Sequence, residues 1–525
     1  MDSTSTNSSA PGVLFMPHAN LQYSQLSPER RAWVIEQSYQ RLFERIDQGP
    51  YKIAFEASGE TIALIARHAP DTLDLMVRLM GEGKIEGVAS PHTHIMLANI
   101  DPRIGRESLI HGRDTWEAHT GFRPTVGWNP ECSWNSHLLD MFREAGFESL
   151  VMDADSFFLS FPEIRKATGL AFDVSGHSNK NHLFRIEDYI QDKPEFLRFL
   201  TNPGRAANGM KLIFRSDMMA NLMLWYLMGA TEGVREAPVD GAEIRGMLNR
   251  WKGRIAATGR FIMPYAEDAE YIGTSAYFYV KQFSQDRFFE PEPESVDRFQ
   301  TLMDTALESG YEMRLPSELL ADVEAILEIP EIANVENGVA WHGGTAKAWL
   351  NTPQARILDP VCREIFDGLL AVADHLGHDL SELPPSLRNA LRLLTSAYVS
   401  DARWPPAPTS PGRFNVREAV NDLYAANEAL AEAMESAGIA EQRSFYSPPL
   451  MHTRIAAVES ELMAMRSSRR KEENIRKSLQ MQYARIVARR SLRTRRCRRP
   501  PAWARRRGRG APDEAADWPR RPRGW

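Results

Sequence analysis

The chain has 525 residues, 43% of them hydrophobic, and a formal net charge of −6. That length suits two or three domains, or one large barrel with additions, and the composition is that of a soluble globular protein. Cys132, Cys362 and Cys497 are too widely spaced for a disulfide framework or a CxxC metal signature, so a reducing cytoplasm is expected.

The net charge hides a split. Residues 466–525 carry 21 Lys+Arg and 5 Asp+Glu, a net of +16, which leaves −22 on the other 465 residues. An acidic body does not suit nucleic-acid binding. The first 12 residues have no basic and no apolar run, so they read as a disordered start and not as a signal peptide. No segment reaches the ~18 apolar residues that a membrane span needs.

In chain order, Val13–Met16 reads as a strand that ends in Pro17-His18-Ala-Asn20. Ser27-Pro28 opens a helix that runs to about Ile46. Lys52–Phe55 is a second strand, ending at Glu56-Ala-Ser-Gly59, and two helices follow it at 61–66 and 72–81. Ile85–Val88 is a third strand, ending in Ser90-Pro-His92-Thr-His94, and the chain from Asp101 to His119 is helical in part. Further strands are expected at 124–127, 149–152, 182–186, 210–214 and 259–263. Another helix spans 296–309, and a last short strand lies at 311–314. Short apolar runs alternate with helices, and nearly every run ends in polar groups. This predicts an α/β architecture with a parallel sheet, closed or nearly closed as a barrel, with functional groups at the C-terminal strand ends.

After about Ala325 the patterns are helical, at 345–349, 358–375, 384–400, 415–437 and 452–465. The expected organisation is therefore a barrel over 13–325, a helical domain over 326–465 and a tail over 466–525. The tail is Arg/Pro/Gly-rich and cannot bury a core, so it is expected to be disordered. A dispensable extension is preferred there over a nucleic-acid or membrane-surface arm.

Glu131 lies in Thr125-Val-Gly-Trp128-Asn-Pro-Glu131-Cys-Ser-Trp134, on a turn between a strand and a helix. Aromatic rings beside a carboxylate suit sugar rings. The plainer alternative is an acid near the start of a helix. A second acidic turn, Glu267-Asp268-Ala-Glu270, follows the strand at 259–263. Its plainer alternative is a solvated turn.

Six segments, which follow one another along the chain in the family's order, resemble glycoside hydrolase family 57, whose members act on α-glucans with an incomplete (β/α)7-type barrel followed by a helical domain. Gly127-Trp128-Asn-Pro-Glu131 is similar to the family's Trp-x-Pro-Glu motif, whose Glu is the nucleophile. Asp268-Ala-Glu270-Tyr-Ile-Gly273 is similar to the motif whose Asp is the general acid/base. Gly83-Lys-Ile-Glu86 with His92-Thr-His94, Phe214-Arg215-Ser-Asp217, Leu315-Pro-Ser-Glu318 and Trp341-His342-Gly through Trp349 resemble the others. The likeness covers about residues 12–465. It departs at His18-Ala-Asn20, where an amide stands at the position of the family's second His.

The resemblance implies a retaining enzyme that hydrolyses or transfers α-1,4 or α-1,6 bonds of an α-glucan or maltooligosaccharide. Glu131 would be the nucleophile and Asp268 the acid/base. His18, Glu86, His94, Trp128, Arg215, Asp217, Glu270, Trp341 and His342 would bind substrate, with no metal and no cofactor. Like-charge repulsion from Glu267 and Glu270 is expected to raise the proton affinity of Asp268. Two alternatives stand beside it. One is a metal-dependent deacetylase or α-mannosidase-like hydrolase with zinc on His18, His92, His94, Asp153 and Asp155. The other is a non-catalytic glucan-binding barrel. Oligomeric state is not readable from the sequence.

Overall fold

A short, wholly buried strand, Gly12–Phe15 (β1), begins the sheet, and Pro17 interrupts it before His18–Ala19 (β2). The break lets one stretch of chain serve two neighbours, because proline cannot donate to a ladder. β1 pairs in parallel with Phe261–Tyr265 (β9 below) and with Glu312–Met313. β2 pairs in parallel with Ile53–Ala57 (β3). From β3 the parallel ladder continues through Ile85–Ala89 (β4), Val126–Trp128 (β5), Ser149–Asp153 (β6) and Lys211–Arg215 (β8). Gly204–Arg205 (β7) lies antiparallel to β8, and Leu327–Glu328 pairs with β7. This is a computed structural model. It describes residues 10–465 except 136, 174–178, 232–234, 284, 322–326, 330–338, 341–342, 405–414 and 440–444.

The strands are buried on both faces, as parallel sheets covered by helices are. Their side chains alternate between two apolar clusters. Val13, Phe15, Phe55, Leu150, Leu212 and Ile262 pack outward against the helices. Leu14, Ala54, Val88, Val126, Val151, Ile213 and Met263, one from each of β1, β3, β4, β5, β6, β8 and β9, meet in an inner cluster. Each fully buried aliphatic or aromatic side chain contributes about 1.5–3 kcal/mol by leaving water, so the inner cluster is a substantial part of what holds the strand ends in place.

The helix expected after Ser27 runs from Pro28 to Gln48, with a π-helical turn at Ile35–Gln40. Such turns insert a residue and re-aim a side chain. Here Ser38 Oγ donates to the Ala269 carbonyl at 2.7 Å, and Tyr39 OH donates to Glu270. Gly273, in the loop after β9, has φ +108°, and a Cβ there would collide with the Gln37 carbonyl of the same turn. That close approach explains the glycine that closes the acidic motif.

Three expectations are corrected. The run His182–Ile186 is not a strand but a turn followed by the helix Phe184–Ile190. Leu183, Ile186 and Ile190 are buried at helical spacing, which a five-residue apolar run cannot distinguish from alternation. The helix expected directly after the Glu131 turn starts only at Leu138. Beyond 325, two-residue strands persist at Leu327–Glu328, Val339–Ala340 and Gly344–Thr345. Helices then follow at Pro353–His375, Pro385–Ser396, Asn415–Ser436 and 448–465. No described helix is long and apolar enough to cross a membrane. Trp341, His342 and the tail lie outside the described residues.

Candidate active site

Glu131 sits where β5 ends. Pro130–Cys132 form a single tight turn, and both Glu131 (φ 59°) and Cys132 (φ 47°) adopt left-handed backbone. Two consecutive non-glycine residues in that region cost about 1–3 kcal/mol each, and such strain gathers at functional positions. Asn129 holds the turn, its Nδ2 donating to the Ser133 carbonyl while its own carbonyl accepts from Cys132 N at 3.1 Å. The turn aims the Glu131 carboxylate inward. Its Oε1 accepts from Ser400 Oγ at 2.6 Å, whereas Oε2 is buried with no hydrogen-bond partner among the described residues. An unsatisfied buried carboxylate oxygen is costly and calls for an explanation.

His18 and His94 connect this carboxylate to two other strand ends. His94 Nδ1 lies 3.6 Å from Glu131 Oε1 and 3.3 Å from Ser400 Oγ, and its Nε2 lies 3.2 Å from His18 Nε2. The other His18 nitrogen contacts Glu56 Oε2 at the end of β3. The His18 ring is 5.5 Å from that of Trp128. Burial works to lower the His18 pKa, but the charge and hydrogen bond of Glu56, together with Asp268 and Glu270, outweigh it and raise it to about 9.

Asp268 follows β9, and its backbone bridges to His18. Its carboxyl hydrogen-bonds the Tyr23 side chain. Its pKa is raised, first by burial. His18, Tyr23 and His94 oppose that rise, and the charge of Glu131 adds to it. The cause therefore differs from the expected repulsion by Glu267 and Glu270: desolvation leads, and Glu131 is the like charge that adds to it. Glu270 is pushed up to about 8, by burial and then by Asp268, and it accepts from Asn20 N at 2.8 Å. Asp401 closes the group from the helical region, accepting from Asn20 Nδ2 at 3.1 Å and Ser24 N at 2.9 Å. Burial and then Glu131 raise its pKa to about 6. Ser400 N donates to the His94 carbonyl at 2.6 Å, so the chain at 399–401 is fixed to the loop after β4.

Arg215 and Asp217 are expected among the substrate-binding residues, or as an ion pair beside Glu131. Both are fully buried, paired with each other at 2.6 Å. Arg215 also reaches Asp153 at 3.2 Å, Glu267 at 3.3 Å and Cys132 Sγ at 3.7 Å. They thus form an ion cluster behind the Glu131 turn instead of a sugar-facing surface. Its carboxylates hold protons strongly: burial and Asp217 raise Asp153 to about 7, and burial, opposed by Arg215, takes Glu267 to about 8. Arg215→Met is expected to lower unfolding stability by about 3–5 kcal/mol, because it leaves the buried Asp217 carboxylate without the cation it pairs with at 2.6 Å. Urea titration at neutral pH checks this, and a loss below about 1 kcal/mol would show that the cluster does not depend on Arg215.

Glu86 is corrected. It is the second residue of β4, at the opposite end of the strand from His94, and its carboxylate accepts from Ser317 N at 3.0 Å and Ser317 Oγ at 2.8 Å. It binds two sheet-end segments together and takes no part in the site. His92 stacks on His111 with ring centroids 3.6 Å apart, away from His18. The five residues considered as zinc ligands therefore do not converge. His94 lies with Glu131 and Asp401, while Asp153 lies with Asp155 and Asp217. Asp401 already accepts two hydrogen bonds, and Arg215 pairs with Asp153 and Asp217 of the second group. Sequence reasoning missed Glu56, Tyr39, Ser400 and Asp401. Glu56 alone carried a signal, as the polar residue that ends a predicted strand.

The family model described as "Glycosyl hydrolase family 57" matches residues 14–190. An alpha-amylase of Pyrococcus abyssi is 30% identical over 133 residues, 24% of this chain and 20% of the relative. A 4-alpha-glucanotransferase of Thermococcus litoralis is 31% identical over 133 residues, again 24% and 20%. The chain thus spans about a fifth of the length of the curated relatives it matches. Among solved structures, a GH57 branching enzyme from Thermococcus kodakaraensis superposes with a TM-score of 0.55 at 12% identity, over 85% of this chain and 94% of that one. An alpha-amylase from Thermotoga maritima gives 0.54 at 13%, over 86% and 96%. At these identities the likeness speaks for the fold alone. The matched segment is about a third of the chain, and it carries His18, Glu56, His94 and Glu131, so these residues lie in the part that is similar to glycosyl hydrolase family 57.

Proposed function

We propose that the chain is a retaining enzyme that hydrolyses or transfers α-1,4 or α-1,6 bonds of α-glucans, with Glu131 as nucleophile and Asp268 as general acid/base. The observation that carries the reading is the convergence of these two carboxyls on one buried pair of histidines, close enough that the Glu131 charge raises the proton affinity of Asp268. A carboxyl whose proton affinity is raised suits the role of the acid. In the first step protonated Asp268 would donate to the leaving glycosidic oxygen while a Glu131 oxygen attacks the anomeric carbon. In the second, the Asp268 carboxylate would take a proton from water, giving hydrolysis, or from a sugar hydroxyl, giving transfer. Trp128, His18, His94 and Glu270 would line the position of the reacting sugar. The names of the relatives, alpha-amylase and 4-alpha-glucanotransferase, support an α-glucan substrate.

The same reading takes the seven strands that share the inner cluster as an incomplete (β/α)7 barrel over 13–325, with residues to 465 as its helical cover. It places the protein in the cytoplasm, where the free, buried Cys132 and Cys362 would persist as thiols. Incubation with maltoheptaose followed by chromatography tests the function. Shorter products alone mean hydrolysis, products both shorter and longer than seven units mean transfer, and new branch points mean α-1,6 transfer. Intact maltoheptaose alongside turnover of another glycan would overturn the substrate class.

A further inference from the structure

The contacts of His18 and His94 leave few arrangements of protons. Glu56 Oε2 contacts His18 Nδ1, and His18 Nε2 faces His94 Nε2 at 3.2 Å. Only one of two facing ring nitrogens can donate in a hydrogen bond. With His18 doubly protonated, its Nε2–H donates to His94, so His94 must carry its own proton on Nδ1. That Nδ1–H then points at Glu131 Oε1, 3.6 Å away, and at Ser400 Oγ, 3.3 Å away. With His18 neutral and its proton on Nδ1 toward Glu56, the roles reverse. His94 Nε2–H donates back to His18, and a bare Nδ1 lone pair faces the Glu131 carboxylate. The choice between an attractive and a repulsive contact at the nucleophile therefore lies two residues away, at Glu56.

We propose that Glu56 is a positioning residue for Glu131: its buried carboxylate holds His18 as the imidazolium, and this fixes the His94 tautomer that presents an N–H to the nucleophile. Glu56 suits this role. It is fully buried, and its Oε1 has no hydrogen-bond partner among the described residues, so its charge is not spent on other donors. The groups facing His18 are Glu56 from β3, His94 from the loop after β4, and Asp268 and Glu270 from the loop after β9. Those facing His94 are His18, Glu131, Ser400 and Asp401. The acidic groups favour the imidazolium, and Glu56 is the one in direct contact with it. The consequence for chemistry is orientation. A carboxylate held by Ser400 Oγ and by an imidazole N–H keeps one oxygen fixed and leaves Oε2 for attack. The role assigned to Glu56 rests on Glu131 being the nucleophile, whereas the tautomer of His94 does not.

The test is ¹⁵N NMR of the full-length protein labelled in its histidine rings, with His94 and His18 assigned from His94→Gln and His18→Gln. In the wild type His94 is expected as the Nδ1–H tautomer at neutral pH, changing to Nε2–H as His18 loses its proton near pH 9. In Glu56→Gln the change is expected at least one pH unit lower, and the alkaline limb of kcat/KM on a nitrophenyl glycoside, which needs no proton from Asp268, should move with it. At neutral pH kcat should fall roughly ten- to a hundredfold, the range that outer partners of functional histidines carry. KM should change little, and Glu56→Asp should restore much of the rate. A wild-type His94 already in the Nε2–H form at neutral pH overturns the proposal, even if Glu56→Gln fails to fold. A lowered kcat with unmoved tautomer and pH limb would make Glu56 a packing residue only, which also overturns it. Full activity in Glu131→Gln would instead overturn the nucleophile and leave the histidine result standing.

Discussion

Replacing Glu131 with glutamine is expected to lower kcat on maltooligosaccharides by roughly 10⁴-fold or more, the scale of losing a covalent nucleophile. The change nearly preserves shape. The glutamine carbonyl can still accept from Ser400 Oγ, and the left-handed turn at 131–132 is unaltered. What is lost is the charge and the attacking oxygen. Stability is expected to hold or to rise slightly, because the wild type keeps one buried carboxylate oxygen without a partner. A thermal melt beside the rate measurement separates the two effects. Retention of more than a tenth of the wild-type rate would remove Glu131 from the chemistry. Glu131→Ala with added azide gives a finer result: azide occupies the vacated face of the sugar and should yield the β-glycosyl azide.

The parts of this site that were legible share one physical origin. His18, His94, Glu131, Asp268 and Glu270 each follow an apolar run that ends in polar residues, and in a parallel sheet all such ends face one side. The same logic misplaced Glu86, because a motif match does not say at which end of the strand a residue sits. Its two bonds to Ser317 put it at the far end. Arg215 and Asp217 do end a strand, yet they turn into the protein behind the Glu131 turn, where Cys132, Asp153 and Glu267 meet them. Ser400 and Asp401 carried no signal, because only tertiary packing brings a loop between two late helices to His94. Tyr39 was hidden inside an amphipathic helix, since apolar periodicity does not reveal a π-turn.

Asp268→Asn is expected to cost about 10²–10⁴-fold on natural glucans, the range of a general acid/base, and the loss should depend on the leaving group. Cleaving an unactivated glucan needs a proton on the departing oxygen, whereas a nitrophenyl glycoside departs without one. The variant should therefore form the glycosyl-enzyme quickly from the aryl substrate and then stall, because no base activates water. Azide needs no such base. It should restore turnover and give the α-glycosyl azide, opposite in configuration to the product from Glu131→Ala. The two variants thus assign the two roles by stereochemistry, independently of how far each rate falls. The pH dependence carries the same sign. The Asp268 pKa is raised by burial, so the acid form extends above the usual carboxylate range and supports cleavage there. As pH rises through that value, proton donation is lost and kcat/KM on glucans should fall, while the aryl substrate, which needs no proton, should keep its rate of glycosyl-enzyme formation until His18 loses its proton near pH 9. A wild-type limb at the same pH on both substrates would mean that the group titrating there is not the acid, and Asp268 would lose its assignment.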